Sequence, residues 1–419
     1  MDRFGRTHVA AYLLLFGFAG ACKDTSPSPL GIVTNDRLAV GAAEKSYIVV
    51  FRKDVKEPRA ATRALLTSHG GTMRFLYERA LRGFAATLPP SAVNGIRKNP
   101  HVLFIQEDRL VTADTAQTLC SGLCTNSPRW GLHVIDQHSP PGALGPWTYS
   151  WFHNGSGVVA YIVDSGIDST HTDFGGRAHN GFDAFGESGQ DCYGHGTHVA
   201  GTVGSRTYGV AKGVTLRGVR VLDCNGNGSW ATVIAGLEWV IADHENQGGM
   251  LLPLTPAVAN LSLGGSAAED PDSASALDSA VVNTMQAGVF VAIAAGNDSR
   301  DACLDSPARV ADAVTVSAAQ YTLGSVLKAG YSNYGSCVDI YGPGSNIQST
   351  RLGGGAATMS GTSMATPHVT GAAAIYKSTF GHAAQSVIAS WLVTNATANL
   401  IGNNPAGTPN LLVYKAPGL

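Results

Sequence analysis

Gly361-Thr-Ser-Met-Ala-Thr-Pro-His-Val369 is the stretch from which the rest of this chain can be read. A glycine and small residues lead into an apolar run, Met364 to Tyr376, with the composition of a buried helix. Ser363 then falls in that helix's first turn, where backbone N–H groups are unpaired and the dipole favours negative charge. A serine so placed is a candidate nucleophile. A plain N-cap serine looks the same, and the motif by itself leaves both readings open.

Its partners lie upstream. Gly157-Val-Val-Ala-Tyr-Ile-Val163 is a β-branched apolar run that reads as a buried strand, and it ends in Asp164-Ser165-Gly166. A carboxylate there stands where sites collect on open α/β sheets, although a turn aspartate also fits. Gly194-His195-Gly196-Thr197-His198-Val199-Ala200-Gly201 places a histidine at the start of another small-residue helix. No Glu follows in zinc-protease spacing, and two histidines at i and i+3 make a weak metal site. His198 therefore reads as structural and His195 as a base. Val289 to Ala294 is a further buried strand, running into Ala295-Gly296-Asn297. Asn297 alone would be a turn residue; beside the other three it is a candidate oxyanion donor, together with the Ser363 backbone N–H.

The chemistry requires this combination. A serine hydroxyl is a poor nucleophile until a neutral imidazole accepts its proton. A buried carboxylate then fixes the imidazole tautomer and stabilises the imidazolium. The order Asp164, His195, Ser363 is one of the three chain orders in which this geometry recurs. An esterase or lipase of the α/β-hydrolase class would show Gly-x-Ser-x-Gly and the order Ser, Asp, His, which this sequence lacks. A silent binding protein on the same fold is the other alternative, and the intact constellation argues against it.

At these residues the chain resembles the subtilisin-like serine proteases, and within them the proteinase K and aqualysin group. The matching blocks are Asp164-Ser-Gly-Ile, Gly194 to Gly201, Asn260-Leu-Ser-Leu-Gly-Gly265, Ala294-Ala-Gly-Asn297 and Gly361 to Val369, in a region from about Trp130 to about Val413. The resemblance implies a three-layer α/β fold with a mainly parallel sheet, with Asp164, His195 and Ser363 as triad and Asn297 as oxyanion donor. It also implies that Ser262-Leu263-Gly264 and Gly226-Asn227-Gly228 are the two edges that hold an extended polypeptide as an added strand. A pocket bounded by Gly264, Gly265 and Ala294 to Gly296 is small and uncharged, which predicts broad specificity with apolar or aromatic residues before the cut. A structural calcium is expected at Asp339 and the carbonyls of Ala311 and Ala313, hard oxygen ligands that suit this ion. A second family calcium site keeps Asp136 and Gln137 but has His133 in place of an acidic residue.

Alternating strand and helix patterns agree with that fold: strands over 214–222, 257–261 and 313–318, helices over 229–244 and 272–287. The catalytic domain is expected over 113–419. Before it, residues 44–112 read as strand–helix–strand–strand–helix–strand, a small α+β, ferredoxin-like domain. This segment resembles the inhibitory propeptide of the family, with autocleavage between Leu110 and Thr118. Residues 1–112 carry 16 Lys and Arg against 9 Asp and Glu, a net of +7, while 113–419 carry 12 against 21, a net of −9. Opposite signs favour docking of an intramolecular inhibitor.

Arg3 and Arg6 precede the apolar run from Val9 to Ala21, which has the length of a signal-peptide core. Residues 1–22 are read as a signal peptide and 23–43 as a linker. Ala19-Gly-Ala-Cys22 resembles a bacterial lipoprotein cleavage site, with Cys22 lipidated, although Ala19 stands where a larger aliphatic residue is usual. Ordinary cleavage near Ala21 is the alternative. The chain is accordingly expected to be a secreted bacterial protein, its precursor tethered through Cys22. Six other cysteines in an exported chain imply disulfides, in any of fifteen pairings. The family resemblance implies Cys192–Cys224 and Cys303–Cys337, leaving Cys120 and Cys124 as the remaining pair. Of the 419 residues 44% are hydrophobic, enough for a large core, and the net charge of −2 gives no reason to invoke nucleic acid. No pattern suggests an oligomer, and a monomer is expected.

Overall fold

The computed structural model describes residues 45–52, 54–77, 83–107, 115–120, 127–247, 254–266 and 271–416. The chain divides into two compact units between Val111 and Thr112.

The first unit contains β1 (Lys45–Phe51), α1 (Pro58–His69), β2 (Thr72–Tyr77), β3 (Gly83–Leu88), α2 (Pro90–Arg97) and β4 (Val102–Glu107). Both helices open on a proline, whose fixed φ and missing N–H suit a first turn. The strands form an antiparallel sheet in the order β2-β3-β1-β4. Val49, Phe51, Phe84 and Leu88 pack with Leu65 and Ile96 from the helices into a core of its own. This is the split βαβ arrangement expected from the strand and helix order.

The second unit begins with β5 (Thr115–Cys120), α3 (Trp130–Val134) and β6 (Trp147–Trp151), β5 pairing with β6. Then follow β7 (Val159–Asp164), β8 (Ala178–Asp183), α4 (His195–Gly204), β9 (Thr215–Arg220) and α5 (Trp230–Gln247). The middle of the chain supplies β10 (Ala257–Leu261), β11 (Gly265–Ser266), α6 (Pro271–Gln286), β12 (Val289–Ala294) and β13 (Asp305–Ser306). Next come β14 (Val314–Thr322), β15 (Ser325–Lys328), β16 (Ile340–Pro343), β17 (Ile347–Thr350) and β18 (Ala356–Met359). The last elements are α7 (Thr362–Phe380), α8 (Gln385–Asn395), β19 (Thr397–Ala398) and β20 (Leu411–Leu412).

Ten strands form the main sheet, in the order β19-β20-β16-β14-β12-β10-β7-β9-β8 with β15 against β14. The pairs from β20 to β8 are parallel. Successive residues of β7 serve opposite faces: Ala160 and Ile162 join the core under α4 and α7, while Val159, Tyr161 and Val163 join the core under α5 and α6. That is the two-residue period of a strand covered on both sides, and it makes the unit a three-layer α/β structure. From β7 the chain builds outward through β8 and β9, then crosses to β10 on the other side. The order therefore reverses between β7 and β10, and ligand crevices form at such a reversal, beyond the strands' carboxyl ends.

Candidate active site

Asp164 is the last residue of β7, and Asn297 lies just past the end of β12. His195 is the first residue of α4, and Ser363 sits in the first turn of α7. Fold and local sequence thus bring together four side chains from distant parts of the chain. Asp164, fully buried, meets His195 Nδ1 with Oδ1 at 2.8 Å and Oδ2 at 3.0 Å. Ser165 N also donates to Asp164 Oδ1, at 2.8 Å. The approach depends on Gly196: a Cβ there would lie 2.2 Å from the Gly166 carbonyl oxygen and 3.2 Å from Asp164. Burial alone would lower the His195 pKa. The charge and hydrogen bond of Asp164, and the charge of Asp191, outweigh it, so the value lies above the ordinary 6.5.

The Ser363 hydroxyl donates to the Ser262 carbonyl at 3.2 Å rather than to His195. His195 and Ser363 nevertheless line one cleft of about 800 Å³, and rotation about the serine Cα–Cβ bond redirects the hydroxyl. Catalytic hydrogen bonds often tighten only when substrate is bound. Asn297 also lines this cleft. Its Oδ1 accepts from Thr362 N at 2.8 Å and from Thr362 Oγ1 at 3.1 Å, which fixes the amide with Nδ2 as its free donor. A Cβ on Gly361 would lie 3.6 Å from Ser363 N and 3.8 Å from Asn297 Nδ2, so both nitrogens lie close to one point beside Gly361. An α-helix leaves its first N–H groups without intrahelical partners, and Ser363 N is one of these. The arrangement can remove a proton from a serine and hold an oxyanion formed next to it.

All six residues expected at the peptide-binding edges line the same cleft: Gly226, Asn227, Gly228, Ser262, Leu263 and Gly264. Residues 226–228 and 262–264 lie outside any strand, so neither stretch is committed to a ladder. The side chain of Ser262 is turned inward. It donates to the Ser363 carbonyl at 2.8 Å and accepts from Asn260 Nδ2 at 2.8 Å, and Thr370 on α7 donates to Asn260 at 2.9 Å. Ser262 therefore clamps the start of α7 and presents only backbone to the cleft.

These geometries can be set beside known proteins. The subtilase family (Peptidase_S8) matches residues 155–412, and the peptidase inhibitor I9 family matches residues 46–114. The chain belongs to the subtilase family. An extracellular serine proteinase of Thermus sp. (strain Rt41A) is 48% identical over 349 residues, which cover 82% of this chain and 78% of that protein. Proteinase R of Parengyodontium album is 37% identical over 392 residues, covering 93% and 92%. Among solved structures, a cold adapted subtilisin-like serine proteinase has 43% identity and a TM-score of 0.61, covering 68% of this chain and 97% of that one.

The subtilase site contains residues that sequence reasoning missed. Asp191, 6% exposed, accepts from Ser165 Oγ, Tyr193 N and Gly194 N through Oδ1, and from Thr197 N and Oγ1 through Oδ2. It organises the turn that delivers His195, yet in sequence it is one aspartate in a polar loop. Asn333 ties down the loop carrying Asn297, accepting from Asp298 N at 3.0 Å and Arg300 N at 3.1 Å and donating to the Ala295 carbonyl at 2.9 Å. Trp230 and Tyr193 give the cleft aromatic walls. Beyond the small uncharged residues Gly264, Gly265 and Ala294 to Gly296, the cleft is lined by Asp298 and also by Asp305. Arg300 is ion-paired with it and Asn333 Nδ2 donates to it at 2.7 Å, so its charge is already matched.

Disulfides join Cys192 to Cys224 and Cys303 to Cys337, with Cα separations of 5.0 and 5.3 Å. The Cys120–Cys124 pairing lies outside the described residues, which omit Cys124, as do the signal peptide and Cys22. His198 is buried, its Nε2 lying 3.0 Å from the Ile347 carbonyl, and burial lowers its pKa to about 4. It does not line the cleft. At the expected calcium position, burial pushes the Asp339 carboxyl up to about 6, and Thr315 N donates to it at 2.7 Å. A half-buried carboxylate with one backbone donor is a hard oxygen group of the kind calcium takes. The second position fits calcium poorly: His133 bonds the Thr148 carbonyl and Gln137, and the Lys415 ammonium lies 3.3 Å from Asp136.

Proposed function

We propose that Ser363 is the nucleophile, His195 the general base, Asp164 its orienting carboxylate, and Asn297 with the Ser363 N–H the oxyanion hole. As a subtilase preceded by an I9 segment, the chain is a serine endopeptidase made with its own inhibitor. The observation that carries the residue assignment is the Asp164–His195 pair, at 2.8 and 3.0 Å, sharing a cleft with Ser363 and Asn297. Ser363 Oγ bonds to the scissile carbonyl carbon while its proton passes to His195 Nε2. The imidazolium returns that proton to the leaving amine as the C–N bond breaks. Water then repeats the sequence on the acyl-enzyme, restoring the serine and releasing the new carboxylate.

We further infer broad specificity with apolar or aromatic residues before the cut, supported by the small residues at the pocket and the neutralised Asp305. Calcium at Asp339, with the carbonyls of Ala311 and Ala313, is proposed as a structural ion that supplies charge compensation and no chemistry. The enzyme is proposed to act as a secreted bacterial monomer. Its boundaries are proposed as 1–22 signal peptide, 23–43 linker, 44–112 propeptide and 113–419 catalytic domain, with the precursor anchored through a lipidated Cys22. Secretion is supported by the extracellular relative. The test is to express the full chain and a Ser363→Ala version and compare their masses and N-termini. Trimming near residues 110–118 in the parent alone is expected. Identical processing of both would show that another protease matures it.

A further inference from the structure

The loop between β9 and α5 brings main chain to the cleft, and one side chain outside the cleft sets its shape. Gly226, Asn227 and Gly228 line the cleft and Asp223 does not. Asp223 Oδ1 accepts from Asn225 N at 2.8 Å and from Asn227 N at 2.9 Å. The backbone of the same residue closes the loop again: Asp223 N donates to the Asn227 carbonyl at 2.7 Å, and the Asp223 carbonyl accepts from Gly226 N at 3.0 Å. Residues 225–227, which belong to no strand or helix, are thus all bonded to Asp223. The N–H groups of Asn227 and Asn225 hold its carboxyl below the usual carboxylate range, so it accepts as an anion at neutral pH. Both ends of the loop are tied separately. Cys224 is bonded to Cys192, and Thr232 Oγ1 accepts from Ser229 N at 2.9 Å and donates to the Val221 carbonyl at 3.0 Å.

This internal bonding decides which main-chain groups remain. The Asn227 N–H and carbonyl both turn inward to Asp223. Among the described residues, no hydrogen bond engages the Gly226 carbonyl or the N–H and carbonyl of Gly228. The groups left over sit on alternate residues, the spacing at which one edge of an extended chain offers its main chain to a neighbour. We propose that Asp223 is a positioning residue for peptide binding: its carboxylate holds residues 225–227 so that Gly226 and Gly228 present these groups to an extended substrate. This rests on the reading of residues 226–228 as a substrate edge. Main-chain pairing along such an edge grips a polypeptide through several of its residues, so Asp223 acts on long substrates and not on the chemistry at Ser363.

The test compares two substrates with the active protein obtained from the full chain. One is an internally quenched octapeptide with a central aromatic residue before the cut. The other is a blocked ethyl ester of the same amino acid, which has no chain to lay along the edge. Asp223→Ala should lower kcat/KM for the octapeptide by about tenfold or more, the worth of one hydrogen bond to a charged group, and leave the ester within about twofold. Asp223→Glu keeps the charge but displaces it by a methylene, and should show the same selective loss. Asp223→Asn keeps an acceptor in the Oδ1 place, and should restore the octapeptide value to within about threefold of the parent, since only the charge assistance is lost. A parental octapeptide value in Asp223→Ala and Asp223→Glu, or equal losses on both substrates, would overturn the proposal. A parent that hydrolyses the ester no faster than Ser363→Ala would instead remove the active-site assignment beneath it.

Discussion

Replacing Asp191 by asparagine separates a carboxylate that merely fills a loop from one that sets His195, the proposed general base. An asparagine presents one acceptor and one donor face where the carboxylate presents two acceptors. If the amide nitrogen takes the Oδ2 place, it meets Thr197 N and Thr197 Oγ1, which now donate at 2.9 and 2.5 Å. If it takes the Oδ1 place, it meets Ser165 Oγ, Tyr193 N and Gly194 N. Either orientation removes the acceptor from at least two donors. Hydrogen bonds to a charged group contribute about 1.5–3 kcal/mol each, so the loss is about 3–6 kcal/mol. At a few degrees per kcal/mol for a domain of this size, the melting temperature should fall by roughly 10 °C. Calorimetry on a Ser363→Ala background measures this without autolysis. A second reading distinguishes destabilisation from electrostatics. The negative charge of Asp191 helps hold the His195 pKa up, so removing it lowers that pKa. In the parent, kcat/KM should fall as pH drops through a value above 6.5, where His195 protonates and ceases to be a base. In the variant this acid limb should move to lower pH. An unmoved limb, with a melting temperature within about 2 °C of the parent, would refute the role assigned to Asp191.

Three further outcomes follow from the same geometry. Asn297→Ala should lower kcat by about 10²–10³ with little change in KM, the cost of one oxyanion donor in a related subtilase; an unchanged kcat would remove Asn297 from the oxyanion hole. Replacing both Cys303 and Cys337 by alanine opens a loop with a sequence separation of 34. The chain-entropy model then predicts about 4 kcal/mol lower stability, read as the denaturation midpoint of the Ser363→Ala chain. Arg300→Gln should leave Asp305 under-compensated in the cleft, so a peptide library scored at the residue before the cut should gain Lys and Arg; an unaltered profile would place Asp305 outside substrate reach.

The four residues proposed for catalysis stand out in the sequence because each lies where a regular element starts or stops. Asp164 and Asn297 follow continuous β-branched runs, and His195 and Ser363 precede small-residue helices; those patterns are local and survive without knowledge of the fold. Strands β7, β10, β12 and β14 were legible for the same reason, being long and buried on both faces. The late strands β16 and β20 were not. They are 4 and 2 residues long, too short for periodicity, and exist because the sheet edge offers them partners. Asp191, Asn333 and Asp305 escaped for a different physical reason. Asp191 and Asn333 are polar residues in polar loops and Asp305 opens the two-residue strand β13, and the importance of each comes from donors brought in by folding: Thr197 from the first turn of α4, Arg300 across the loop before β13. What a sequence exposes, then, is where reacting groups are mounted. What it conceals is the set of buried polar groups that hold the mountings still, because their partners lie tens of residues away, and those are the positions where substitution should alter rate and stability together.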